Sequence, residues 1–157
     1  MRAAQYVRMS TEHQQFSIEN QALVISQYAR SHDFEVVQTY SDEARSGIDL
    51  ARRPGLRQLL DDVTNHTADF RAVLVYDISR WGRFQDADES ACYEFLCRRA
   101  GVNVIYCAEP FTNDLSMAAS LLKTLKRAMA GEYYANYQPK CSQASVAWFD
   151  RASSLEE

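Results

Sequence analysis

The chain reads as an α/β domain: a mainly parallel sheet of about four strands flanked by helices, followed by one long C-terminal helix. Three observations predict this. Four short apolar runs, Ala3 to Val7, Phe34 to Tyr40, Ala72 to Tyr76 and Val102 to Cys107, have the length and residue types of buried strands. The segments between them carry apolar residues at helical spacing. Strand and helix alternate along the chain, an order that right-handed crossovers build into a Rossmann-like parallel sheet.

Each element has its own signal. After the first strand, Thr11 to Phe16 is a polar loop and Ser17 a helix N-cap; Ile18, Ala22, Ile25 and Ala29 then mark a helix to about Ser31. The second strand leads into a long loop, Ser41 to Arg53, which holds Ser46-Gly47 and the arginines Arg45, Arg52 and Arg53. A loop of this length inside a compact domain is often functional. Pro54 suits the first turn of the next helix, whose buried stripe is Leu56, Leu59, Leu60 and Val63. Arg53 thus stands at a helix N-terminus, where anions bind readily. The third strand runs into Asp77-Ile78-Ser79-Arg80-Trp81-Gly82-Arg83, with Asp77 expected still on the strand. A helix from near Asp86 is expected to bury Cys92, Phe95 and Leu96 and to stop at Arg98-Arg99 before Gly101. The acidic residues Asp86, Asp88 and Glu89 fit its positive N-terminal end.

The last helix, from about Asn113 to Tyr137, carries a seam of alternating threes and fours: Leu115, Ala118, Leu122, Leu125 and Met129. Leu121 and Ala128 widen it, and Glu132 continues it. Such a face suits a partner helix or the chain's own sheet, and the spacing does not choose between them. From Gln138 the periodicity stops, so residues 138–157 read as an irregular tail after a domain spanning 1–137.

With 157 residues, 46% of them hydrophobic, the chain has enough length and apolar content for one domain with a sizeable core. Its net charge of −4 argues against a surface that grips nucleic acid all over, but leaves room for a local basic pocket. Only three basic residues are lysines and fourteen are arginines, the side chain that matches phosphate oxygens in a bidentate fork. The four cysteines lack C-x-x-C spacing and the three histidines are scattered, so neither a zinc site nor a disulfide framework is expected. With no apolar run near the length of a membrane span and no signal-peptide pattern, a cytoplasmic protein is expected.

The functional signal begins at Tyr6-Val7-Arg8-Met9-Ser10-Thr11. It puts a hydroxyl beside a guanidinium at a strand's C-terminal end, where ligands of parallel α/β sheets bind. Segments Arg45–Arg53 and Arg80–Arg83 leave the sheet on the same side. One hydroxyl among several guanidiniums suits metal-free phosphoryl transfer, with arginines taking the charge that develops on phosphorus.

In this respect the sequence resembles the catalytic domain of the serine site-specific recombinases, the resolvase/invertase family, and its large members above all. The residues that carry the likeness are Tyr6-x-Arg8-x-Ser10-Thr11, Gln14, Gln21, Ser46-Gly47, Arg53-Pro54-Gly55-Leu56, Ser79-Arg80-Trp81-Gly82-Arg83 and Glu132-Tyr133. The resemblance implies that Ser10 is the nucleophile, forming a 5′-phosphoserine link to DNA and releasing a 3′-hydroxyl. It implies that Arg8, Arg53, Arg80 and Arg83 bind the scissile phosphate. Tyr6, Gln14, Gln21 and Glu132 would support the pocket, although a plain solvated charge accounts equally well for Glu132. Further implications are DNA as partner, a homodimer through the seam helix that pairs into a tetramer, and no metal, nucleotide or other cofactor.

Two departures stand out. Ser79 occupies a position where many resolvases carry aspartate. The family also continues the long helix into a basic DNA-binding region, which Gln138 onward does not resemble. A frameshifted or prematurely ended gene would leave such a tail, and the alternative to an active recombinase is then a non-enzymatic fragment that keeps the fold and the dimer face. A phosphorylatable receiver-like domain would need an aspartate where Ser10 stands.

Overall fold

In this computed structural model, residues 1–9, 17–42, 53–82, 87–109 and 120–126 are described, without the side chains of 87–89. Among them, β1 (Arg2–Arg8), β2 (Glu35–Asp42), β3 (Ala72–Val75) and β4 (Asn103–Tyr106) form one sheet in the order β2-β1-β3-β4. All three pairings are parallel. The four-strand parallel α/β fold is therefore the one expected from the sequence.

The helices divide between the two faces because the chain turns back across β1. Helix α1 (Ile18–Ser31) carries the chain from β1 outward to β2. Its Ile25 and Ala29 pack on Ala3, Val7, Ala72 and Leu74. Helices α2 (Pro54–Thr64) and, after the short α3 (Ile78–Trp81), α4 (Ala87–Arg99) connect strands in the opposite direction. Right-handed crossovers then require the opposite face. There Leu56, Leu59, Leu60, Val63, Tyr93, Leu96 and Cys97 bury Ala4, Tyr6, Val73 and Val75. Residues 3 and 7 face α1, while 4 and 6 face α2 and α4, as the two-residue period of a strand demands.

The caps match their sequence signals. Ser17 Oγ accepts the Asn20 N–H at 3.2 Å. Pro54 opens α2, and Gly101 ends the turn after α4 with φ +80°, a conformation that suits glycine.

Two expectations are corrected. Residues 78–81 form a helical turn, α3, and Asp77 is its N-cap rather than the end of β3. Phe95 is 48% exposed; the inward residues of α4 are Ser90, Tyr93, Glu94, Leu96 and Cys97. The inner stripe holds a carboxylate because Glu94 has partners there: Tyr106 donates its hydroxyl at 3.0 Å and Lys123 its ammonium at 3.0 Å. A charge can be buried when it is paired.

Residues 120–126 are helical, and their Leu121, Leu122 and Leu125 are exposed. The rest of the seam, Leu115, Ala118 and Met129, lies outside the described residues, as do Glu132 and the tail. No helix among the described residues is long and apolar enough to cross a membrane.

Candidate functional site

The strand order reverses between β1 and β3, and the crevice at their C-terminal ends is where an open parallel sheet offers a binding site. Arg8 ends β1 and Asp42 ends β2, directly opposite each other in register. Helix α3 follows β3 and rims the same end. The carbonyls of Ser79, Arg80 and Trp81 in this short helix accept from arginines elsewhere in the chain.

Arg8 is fully buried, and its Nη2 donates to Ser79 O at 2.8 Å. Its backbone is held by Gln21: the Arg8 N–H donates to Gln21 Oε1 at 3.2 Å, and Gln21 Nε2 donates to Arg8 O at 2.8 Å. A single side-chain amide from α1 thus takes over the strand's hydrogen bonding where β1 ends, two residues before Ser10.

Arg53 is also fully buried. It donates to the Tyr6 hydroxyl from Nε at 3.2 Å and from Nη2 at 2.7 Å. Nη2 reaches Arg80 O at 3.3 Å and also Trp81 O. Arg8 and Arg53 therefore contact three consecutive carbonyls of α3, from Ser79 to Trp81. Arg80, whose backbone is in that run, is itself 2% exposed. Asp77 fixes the turn: its Oδ1 accepts the Arg80 N–H at 2.9 Å and the Ser79 hydroxyl at 2.6 Å.

The sequence reading assigns the N-terminus of α2 to an incoming anion, but an internal carboxylate already occupies it. Asp42 accepts the Gly55 N–H at 2.7 Å and the Leu56 N–H at 3.1 Å. It also accepts the Tyr6 hydroxyl at 2.8 Å and lies 4.0 Å from Arg53 Nε. Tyr6 spends its one proton on Asp42 and its lone pairs on Arg53, so it links the two charges. Burial pushes the Tyr6 phenol up to about 12; the Arg53 charge opposes this and the Asp42 charge adds to it. Gly55 is needed here because a β-carbon would meet Ser41 O at 2.5 Å.

Arg8, Arg53, Arg80, Tyr6 and Gln21 thus gather at one end of the sheet. Ser10, Gln14, Arg83 and Glu132 lie outside the described residues. Asp42 and Asp77 were missed as site-forming residues. Asp77 had a legible signal, an N-cap residue three before Arg80. Asp42 had none: the sequence reading places it in the loop from Ser41, whereas β2 runs on to Asp42.

The fold and site define an open parallel α/β domain whose switch-point crevice is built around buried arginines. The chain belongs to the resolvase family, since the profile described as "Resolvase, N terminal domain" matches residues 3–144. It is a serine recombinase catalytic domain by that match and by structural likeness. The N-terminal catalytic domain of TP901-1 integrase is 28% identical with a TM-score of 0.65, covering 87% of this chain and 100% of that one. Two further structures share the fold. A resolvase family site-specific recombinase from Streptococcus pneumoniae is 19% identical with a TM-score of 0.65, covering 98% of this chain and 99% of that one. The C-terminal catalytic domain of ISC1926 TnpA, an IS607-like serine recombinase, is 24% identical with a TM-score of 0.58, covering 99% and 98%. Comparison with curated proteins finds no match.

Proposed function

We propose that this domain breaks and rejoins DNA in site-specific recombination, with Ser10 as nucleophile. The Ser10 oxygen attacks a backbone phosphorus; the Oγ–P bond forms as the hydroxyl gives up its proton, the P–O3′ bond breaks, and the departing O3′ takes up a proton, so no net proton is gained or lost. A 5′-phosphoserine link and a free 3′-hydroxyl result. Attack of a 3′-hydroxyl on that link reverses the step and reseals the strand, so the bond energy is kept in the phosphoserine and no nucleotide is consumed. The observation that carries the reading is the gathering of Arg8, Arg53 and Arg80 on α3, at the strand end that leads into Ser10. Guanidiniums already held in place suit a phosphate whose charge grows in the transition state.

In this reading Arg8, Arg53, Arg80 and Arg83 hold the phosphate without a metal ion, while Tyr6, Gln14, Gln21 and Glu132 support them. Gln21's bonds to the Arg8 backbone and Tyr6's to Arg53 support that division. The catalytic domain spans 1–137 with its long helix from about 113, and 138–157 is a separate tail. Exposure of Leu121, Leu122 and Leu125 favours a dimer through that helix, two dimers pairing around DNA in the cytoplasm.

The test is incubation with supercoiled DNA that bears a cognate crossover site. A covalent protein–DNA adduct that survives detergent and is lost in Ser10→Ala supports the assignment. No adduct at high protein concentration, or one that persists in Ser10→Ala, refutes it.

A further inference from the structure

The helix at 120–126 meets the domain through two lysines while its leucines point away. Lys123 and Lys126 are three residues apart and so share a face. Lys123 Nζ pairs with Glu94 of α4 at 3.0 Å and lies 5.4 Å from the centre of the Tyr106 ring. Lys126 pairs with Glu109, in the loop after β4. These are two of only three lysines in the chain.

Glu109 has a second contact. Its side chain is 5% exposed, with Oε2 on Lys126 and Oε1 accepting the Ile78 N–H at 3.4 Å. Ile78 is the first residue of α3, the turn whose carbonyls hold Arg8 and Arg53. One carboxylate therefore joins the C-terminal helix to the turn that sets two arginines. The Asp77 cap, by contrast, is a contact within the turn itself.

We propose that Glu109 is a positioning residue coupling the 120–126 helix, through Lys126, to α3 and hence to the Arg8–Arg53 cluster. When the helix is docked, Lys126 holds the Glu109 carboxylate against the Ile78 amide and α3 is fixed from outside. When the helix shifts, the carboxylate loses its counter-charge, reorients toward water, and releases the start of α3. Any event that moves the helix, such as pairing of its leucine face, is then felt by the arginines. The functional meaning rests on the reading in which those arginines hold a DNA phosphate; the coupling itself does not.

Trp81 supplies the readout, because it lies on α3, is fully buried, and donates its ring N–H to Ser90 O at 3.2 Å. In a Trp148→Phe background it is the sole tryptophan. Acrylamide quenching of Trp81 is expected to rise roughly twofold or more in Lys126→Met and in Glu109→Gln, and to stay unchanged in Lys126→Arg, which keeps the charge. A purely structural ion pair would lower the melting temperature and leave Trp81 quenching unmoved, and that result overturns the proposal. So does a change in Glu109→Gln alone, which would end the path at Glu109. Lys126 is 39% exposed, so its variant tests the proposal even where Glu109→Gln fails to fold. No DNA enters the measurement, so failure of strand cleavage and failure of coupling are separate outcomes.

Discussion

The Tyr6 hydroxyl donates to Asp42 at 2.8 Å in the interior of the domain, and the same Tyr6 oxygen accepts two N–H groups from Arg53. Asp42 also caps α2 at Gly55 and Leu56, so the carboxylate receives three donors. Asparagine in its place has one acceptor oxygen and turns an NH₂ group toward a donor. Asp42→Asn is expected to lose about 2 kcal/mol of unfolding free energy, the scale of a hydrogen bond to a buried charge. Urea denaturation measures this; a change below about 0.5 kcal/mol, the range of ordinary surface substitutions, would contradict the role.

The raised Tyr6 value gives an alkaline signature. A phenol titrating at about 10 unfolded and about 12 folded keeps its proton longer in the native state. The native state then binds more protons between those values, so the contribution is full below pH 10 and is lost as pH rises toward 12. Burial also pushes the Cys97 and Cys107 thiols up to about 12, and they add to the same decline. Tyr6→Phe should remove its own share, making stability fall less steeply across that window than in the parent. Equal slopes would show that Tyr6 does not change its proton affinity on folding.

Gly55→Ala probes the close approach of α2 to β2. The added carbon would meet backbone, Ser41 O at 2.5 Å, so the helix start must move. Overpacking of this kind costs about 1–3 kcal/mol. The shift is passed to Arg53, two residues earlier, so altered Arg53 side-chain resonances in NMR should accompany the lower denaturation midpoint. An unchanged midpoint would mean that the α2 N-terminus tolerates displacement.

The exposed leucines predict assembly. Leu122 is 44% exposed and Leu125 55%, on a helix whose opposite contacts are charged. Sedimentation is expected to show a dimer that Leu122→Glu dissociates without loss of helical content. A wild-type monomer at high concentration would remove the seam as an interface.

Much of the fold was legible because its signals are local. Buried parallel strands are short apolar runs, and Ser17 and Pro54 mark helix starts by their own chemistry. What was not legible depended on distant partners. Helix α3 is a single turn, too short for periodicity to register. Phe95 reads as core until Glu94 acquires Tyr106 and Lys123, neighbours 12 and 29 residues away, which let a carboxylate take the inner position. Arg53 reads as an open anion site until Asp42, brought in by β2, fills the helix end. Arg8, Arg53 and Arg80 were recognisable as a set by residue type and family likeness. Their common seat on α3 was not.

In the proposed reaction the Ser10 hydroxyl, two residues after Arg8, becomes joined to DNA. Nuclease digestion of the adduct, followed by mass spectrometry of its peptides, reads this directly. A single nucleotide phosphate is expected on the peptide containing Ser10, attached to Ser10 itself. A phosphate on any other residue, or an adduct formed equally by Ser10→Ala, would contradict it.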